Sequence, residues 1–475
     1  MKIAPGSFPQ LPRKLHSFAL LLICFLALAT PFQMRPVIAG GDDRLANQPR
    51  SEYQARRRKL MEKIKDGIVV LIGAREEDLG EIGRFRQNND LMYLTGVETP
   101  AAALIIIPAG LIPNVGATEN VFIPARNKGH EQWTGFQVSP GAEGEQKFGV
   151  QEVAQSNEFL DRLKKLLLAP PFKAADSGGQ PTAKLYTIVP RGYTAAITRE
   201  NQFVESMQKL APGLTIVDVT PLIAELRKVK SAPEIALLQK AIDITGEGQR
   251  DAAGTIKPGV YEYEVQGALE YAFMRNGSER PGFTSIVGSG IYSTVVHYNE
   301  NRKKIESGDL IVVDIGAEYS YYTADITRTY PANGKFTPRQ REIYQLVLEA
   351  QRACEKAFKP GESSLGQLHQ VAVKVMRESA LRDSKGNTLE RYFNHALGHW
   401  LGMEVHDAGS YGKIPVGAVF TIEPGIYIPE EKLGIRIEDD YLATDTGLVK
   451  MSSKIPSEPD AIEALVSRAR SSPGR

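Results

Sequence analysis

The sequence predicts an α/β (α+β) fold in two domains, and three observations carry that reading. Apolar strand-like runs alternate with helical stretches up to about residue 228. A charged, proline-bearing segment then breaks the rhythm. Beyond it, the chain repeats its own pattern once.

Residues 1–39 stand apart from both domains. Lys2, Arg13 and Lys14 precede an apolar run from Phe18 to Ala29, and small residues and Pro31 follow. The run is short for a bilayer span and suits the core of a secretory signal peptide. Ala27-Leu28-Ala29 and Val37-Ile38-Ala39 offer cleavage points, and an uncleaved anchor is the competing reading. Cys24 follows Leu-Leu-Ile, which is too bulky before a lipidated cysteine. Export, periplasmic or secreted, is the expectation, with no stable membrane insertion after cleavage. Removal of the segment takes the 57 basic residues to 53 against 56 acidic, a net charge of −3. That balance excludes the basic stripe of a nucleic-acid binder. Only Cys354 survives processing, so stability comes from a buried core rather than from disulfides.

The first domain is expected over residues 51–228. Strands are predicted at Ile68–Ile72, Ala103–Ile107, Val121–Ile123 and Leu185–Val189, with helices at Gln54–Ile64 and Glu158–Leu168. A Pro/Gly-rich stretch, Ala169–Ala183, reads as a surface loop. Trp133 reads as a partly buried side chain of this domain, with a neighbouring subunit's cleft as the alternative. The run from Arg227 to Glu234 is the boundary, where Ser231 with Glu234 forms a capping signal for a helix to about Arg250.

The second domain is expected over 234–455. Thr337 and Pro338 open a helix that buries Ile343, Leu346, Val347, Ala350 and Cys354, which makes Cys354 a packed thiol rather than a nucleophile. Lys257-Pro258-Gly259 precedes Met274-Arg275 as Lys359-Pro360-Gly361 precedes Met376-Arg377. His297 lies 17 residues before Asp314, and His406 lies 17 before Glu423. Together these matches predict a duplicated helix-and-strand unit whose halves bring Asp314 and Glu423 to equivalent positions.

The chemistry concentrates in this domain. HALGHWLGMEVH places His395, His399 and His406, three of the seven histidines, within twelve positions. Asp314 ends the strand Leu310–Val313, Asp325 lies in an alternating strand from Thr323 to Thr329, Glu423 follows Val419–Ile422, and Glu438 lies in another strand beside Arg436. Carboxylates at the ends of buried strands call for a compensating cation. One imidazole, His399, and four carboxylates would cage two divalent ions able to activate water. Loop capping remains the alternative for either Asp, as does an ion pair with Arg436 for Glu438. His297, His395 and His406 suit substrate-contacting or supporting roles. His130 and His369 have no carboxylate company, HExxH is absent, and Gly288-Ser289-Gly290 reads as a turn.

VGSGIYSTVVHYNEN, VVDIGAEYSYYTADITRTYP, HALGHWLGMEVHD, TIEPGIYI and GIRIEDD together resemble the creatinase/aminopeptidase P metallopeptidases of the pita-bread fold. FRQNNDLMYLTG (Phe85–Gly96) is similar to the amino domain of aminopeptidase P, and Pro456–Leu465 to its C-terminal segment. The resemblance spans about residues 51–466. It implies two ions, commonly Mn²⁺, bridged by Asp325 and Glu438, with Asp314 on one and His399 and Glu423 on the other. It implies an Xaa-Pro aminopeptidase acting on peptides with proline second, through a hydroxide shared by the ions. Glu423 would be general base, His406 or His395 would stabilise the oxyanion, and His297 would lie beside the proline-side peptide unit. Tyr427 and Arg436 would line the site and tie down its carboxylates. Family members are often dimers or tetramers. A prolidase confined to dipeptides, and a non-catalytic binding protein on this fold, are the rival expectations.

Overall fold

The computed structural model describes residues 44–76, 84–113, 115–129, 131–173, 181–192 and 194–470. The expected signal at 1–39, His130 and residues 174–180 of the Ala169–Ala183 loop lie outside the described residues.

The first domain is a six-stranded sheet. Its strands are β1 (Gly67–Ile72), β2 (Ala103–Ile107), β3 (Thr118–Ile123), β4 (Glu152–Gln155), β5 (Lys184–Thr187) and β6 (Ile216–Asp218), in spatial order β4-β3-β2-β1-β5-β6. Pairing is antiparallel for β1–β2 and β2–β3, and parallel for the other three pairs. The expected strand at Leu185–Val189 stops at Thr187, because the Val189 amide turns to the Asp218 side chain. The expected helix at Glu158–Leu168 begins as a 3₁₀ turn and becomes α-helical at Phe159–Leu167. Trp133 corrects the expectation of partial burial. It is 86 % exposed on a four-residue helix that buries nothing, too short to turn a face to the sheet.

Helix α1 (Arg50–Lys63) and helix α2 (Asn89–Thr95) cover one side of the sheet. Asn88 caps α2 by accepting from the Asp90 and Leu91 amides, and Gly96 ends it at φ 67°. That side shares one apolar core with the second domain, running from Leu60, Leu71 and Leu104 to Leu401, Met403 and Val419. The opposite face, with Ile68, Val70 and Phe122, closes under α3 (Phe159–Leu167) and α4 (Arg199–Leu210). Helix α5 (Thr220–Lys228) leads to the boundary.

Two helix pairs support the second domain. Helix α6 (Ala232–Thr255) packs on α7 (Glu262–Arg275), and α8 (Pro338–Ala357) on α9 (Leu365–Glu378). Ser231–Glu234 and Thr337–Gln340 both form capping boxes, and Cys354 is buried with its thiol on the Leu368 carbonyl. Each pair accompanies a three-stranded sheet. The first contains β7 (Ile286–Ser289), β8 (Leu310–Ile315) and β9 (Ile326–Pro331). The second joins β10 (Val419–Ile422) to two later strands. Between them, β11 (Gly425–Ile428) and β12 (Leu433–Arg436) form a hairpin, before β13 (Asp439–Thr444) and β14 (Gly447–Lys450) complete the order β10-β13-β14.

Four local expectations change. Asp314 lies inside β8, opposite Thr327, because the strand runs on to Ile315. The run Thr323–Thr329 is broken at Ala324-Asp325. The β8–β9 ladder ends at Ile315↔Ile326, and Gly316 approaches the Ala324 carbonyl so closely that a Cβ there would lie 1.8 Å from its oxygen. Glu438 also lies between strands, where the chain leaves the β11–β12 hairpin and enters the β10–β13 ladder. Gly288 and Ser289 belong to β7, paired with Val312 and Ile311, and Gly290 opens a 3₁₀ helix; this is no simple turn.

Candidate metal centre and cleft

The strand ends and breaks converge on one cleft of about 460 Å³. Asp314, Asp325, His399, Glu423 and Glu438 line it, together with His297, His395, His406 and Arg436. Single ligand atoms of Asp325, His399 and Glu438 all fall within 4.8 Å of one another. His399 Nε2 is 3.4 Å from both Asp325 Oδ2 and Glu423 Oε1. Asp314 enters from β8 and is held by Arg436, whose Nη2 donates to its Oδ2 at 2.6 Å.

Local backbone contacts explain why these side chains meet. His399 and Thr421 exchange hydrogen bonds: the Thr421 amide donates to the His399 carbonyl at 3.0 Å, and the His399 amide to Thr421 Oγ1 at 3.1 Å. Gly398 permits the approach, since a Cβ there would sit 2.0 Å from the Thr421 carbonyl oxygen. The Glu423 amide donates to the Leu397 carbonyl, and the Glu438 amide to that of Thr327, which ties the two sheets together beside the ligands. Thr327 Oγ1 donates to Glu438 at 2.6 Å. The ion pair considered between Glu438 and Arg436 is therefore not a surface one: both are buried, and the guanidinium bonds Asp314, Tyr427 and Thr327.

Burial forces the carboxylates toward their protonated forms. Glu423 is pushed up to about 7 by desolvation, against which His399 and Arg436 pull down. Asp325 and Glu438 are raised well above the usual carboxylate range, by burial first and then by neighbouring carboxylates. Asp314 Oδ1 and Asp325 Oδ1 are buried without a hydrogen-bond partner. Clustered acids with orphaned oxygens, one imidazole among them, fit divalent cations, whose charge answers the burial cost.

The other histidines differ in access. His406 is exposed, its ring 4.3 Å from that of His399 and 6.4 Å from that of His297. Partial desolvation of the ring where it meets the cleft, and then its neighbours His399 and His297, lower its basicity. His395 has both ring nitrogens engaged, Nδ1 with the Ala396 carbonyl at 2.8 Å and Nε2 with the Tyr427 hydroxyl at 2.9 Å. Desolvation, with Arg436 nearby, takes it down to about 4. Tyr427 is buried behind the cleft rather than among its lining residues, and its hydroxyl links His395 to Arg436. His369 packs on Phe393, away from the acids.

Sequence reasoning missed Asp407, the neighbour of His406. It is buried, with Arg227 at 2.6 Å and Lys230 at 3.1 Å, and Arg227 also binds Asp90 of the first domain at 2.8 Å. Arg86 and Asn89 add contacts to Glu318, the Met403 carbonyl and Glu404. The FRQNND stretch thus holds the loop that carries His406. The signal available was an unusual concentration of cations at the boundary, which read only as a linker.

Comparison with known proteins agrees with this geometry. Residues 53–171 match "Aminopeptidase P, N-terminal domain", and residues 236–445 match "Metallopeptidase family M24". Xaa-Pro aminopeptidase of Escherichia coli is 34 % identical over 447 residues, covering 89 % of this chain and 98 % of the relative. Among solved structures, proline aminopeptidase P II from Yersinia pestis superposes with TM-score 0.77 at 30 % identity, over 89 % of this chain and all of its own. Zinc-substituted E. coli aminopeptidase P in complex with product gives TM-score 0.77 at 31 % identity, over 89 % and 99 %. With relatives matched along nearly their whole length, this chain belongs to the Xaa-Pro aminopeptidases of metallopeptidase family M24, which are metal-dependent hydrolases.

Proposed function

We propose that this protein removes the N-terminal residue from peptides whose second residue is proline. The observation that carries the reading is the meeting of Asp314, Asp325, His399, Glu423 and Glu438 in one cleft with His297 and His406. Those five side chains would hold two divalent ions, and Mn²⁺ suits so carboxylate-rich a set. Bound there, the ions would supply the positive charge that acidifies water into a nucleophile at neutral pH.

The chain's own groups do the rest. Glu423 accepts a proton as water adds to the scissile carbonyl, and passes it to the proline nitrogen as the C–N bond breaks. His406 is the group for the oxyanion, as a neutral donor near neutral pH. His395 is better suited to orienting Tyr427, since neither ring nitrogen is free. His297 faces the proline side. Arg436 holds Asp314 and, through Tyr427, His395. A bond to proline nitrogen offers no N–H for an enzyme to recognise, so the site reads the ring and the free amino end instead.

The test is Mn²⁺-loaded protein incubated with Arg-Pro-Pro and with Gly-Pro, products being identified by mass. Release of Arg from the tripeptide is expected; cleavage of Gly-Pro alone would make it a prolidase. No cleavage of either would end the reading.

The reading includes export and self-association. Lys2, Arg13, Lys14 and the apolar run Phe18–Ala29 support export, and N-terminal sequencing of the mature protein would locate the cut. Among the described residues no helix is long and apolar enough to cross a membrane. Exposed Trp133 and Phe136, 86 % and 87 % accessible, support a dimer or tetramer that covers them, which light scattering of Trp133→Ala would check.

A further inference from the structure

Two buried glutamines occupy matching places in the duplicated unit. Gln249 on α6 precedes Lys257 by eight residues, and Gln351 on α8 precedes Lys359 by eight. Both are essentially inaccessible to solvent. Gln249 Nε2 donates to the Val313 carbonyl at 3.2 Å and the Ile326 carbonyl at 2.7 Å. Gln351 Nε2 donates to the Ile422 carbonyl at 3.0 Å, the Ile437 carbonyl at 3.3 Å and Asp439 Oδ2 at 3.0 Å.

The acceptors are what make the pair informative. The carbonyls of Val313, Ile422 and Ile437 immediately precede Asp314, Glu423 and Glu438, and that of Ile326 immediately follows Asp325. Each amide therefore spans two neighbouring chain segments at the points where their acidic side chains depart. An amide NH2 reaches both carbonyls of each set, the Gln351 group sharing its two hydrogens among three acceptors, whereas a carboxylate would face the carbonyls as a further acceptor. The oxygens differ: Gln249 Oε1 accepts from the Tyr330 hydroxyl at 2.9 Å, whereas Gln351 Oε1 has no partner. A buried amide whose oxygen is left unpaired is held in place by its donors.

We propose that Gln249 and Gln351 are paired positioning residues of the cation site. Gln249 sets the separation of Asp314 from Asp325, and Gln351 that of Glu423 from Glu438. The inference rests on the metal-centre reading above and extends it to groups that touch neither ion nor substrate. Groups that orient ligands from behind change metal affinity by about 10–100-fold when removed.

The experiment compares wild type with Q249M and Q351M, which keep the volume and lose the donors, and with T337A as a control that weakens α8 without touching the strands. Mn²⁺ binding is followed by calorimetry, the coupled Mn²⁺ pair by its electron paramagnetic resonance spectrum, and kcat and KM with Arg-Pro-Pro. Each methionine variant should bind at least one Mn²⁺ about tenfold or more weakly, alter the coupled spectrum and lower kcat more than it changes KM. T337A should lose thermal stability with binding and spectrum unchanged. If a methionine variant fails to fold, Q249E or Q351E, of unchanged shape, takes its place with the same expected losses. Wild-type affinity and spectrum in the folded variants would overturn this inference alone. Wild type that binds neither Mn²⁺, Co²⁺ nor Zn²⁺ would overturn the metal-centre reading together with it.

Discussion

At Glu423 two forces oppose each other: burial favours the neutral acid, while His399 and Arg436 favour the anion, and burial wins. Asp325 and Glu438 stand on the same side of that balance. Their folded pKa values lie above the unfolded ones, so between the two the native state binds more protons. The stability they contribute to metal-free protein is complete below the unfolded carboxylate range and is lost as pH rises through about 7 for Glu423. A divalent cation reverses the sign by favouring the anions. The rise in melting temperature on adding Mn²⁺ should therefore be larger at pH 8 than at pH 5.5, and an equal rise at both would remove the carboxylates from the site. Asp325→Asn should lose bound Mn²⁺ and turnover together, as read by elemental analysis beside the peptide assay. His406→Ala should keep its metal and lower kcat by about 10²-fold or more, the scale of a lost oxyanion donor; loss of metal instead would exchange its role with that of His399.

Among the elements, helix signals were the clearest in the sequence. Ser231 and Thr337 cap the helices expected of them, because capping depends on side chains within one turn. Thr337→Ala should cost about 1 kcal/mol in urea unfolding while leaving peptide cleavage unchanged. Cys354 fell where helical spacing put it, and native protein should resist thiol reagents that label it once unfolded. Strand boundaries were less legible. Asp325 and Glu438 lie in breaks that local alternation cannot reveal, since each break is made by another segment: the Gly316 approach in one case and a change of sheet in the other. Trp133 was misread for a related reason, as its exposure follows from the brevity of its helix rather than from its own chemistry.

Across the whole molecule, the two domains are joined by charge as well as by a shared apolar core. Arg227 and Lys230 both converge on Asp407, fully buried beside His406. Asp407→Ala would leave buried Lys230 without its carboxylate and Arg227 with Asp90 and Glu404 alone, and breaking a buried pair costs about 3–5 kcal/mol. Denaturant unfolding should register that loss, and kcat should fall with it because the His406 loop loses its anchor. Full stability in that variant would show that Asp407 is not needed to hold the domains together.

The sequence by itself determined the fold class and the duplication, and it singled out the residues proposed to bear the chemistry. Acids after apolar runs, clustered histidines and repeated spacings are properties of the chain that no folding is needed to read. Which atoms meet was decided only by tertiary structure. The Arg436–Asp314 pair, both engaged nitrogens of His395, the anchorage of Asp407 and the two glutamine bridges all join positions far apart in the chain. Their geometry follows from how two sheets and two helix pairs pack, and side-chain spacing along one strand or helix carries no record of that packing.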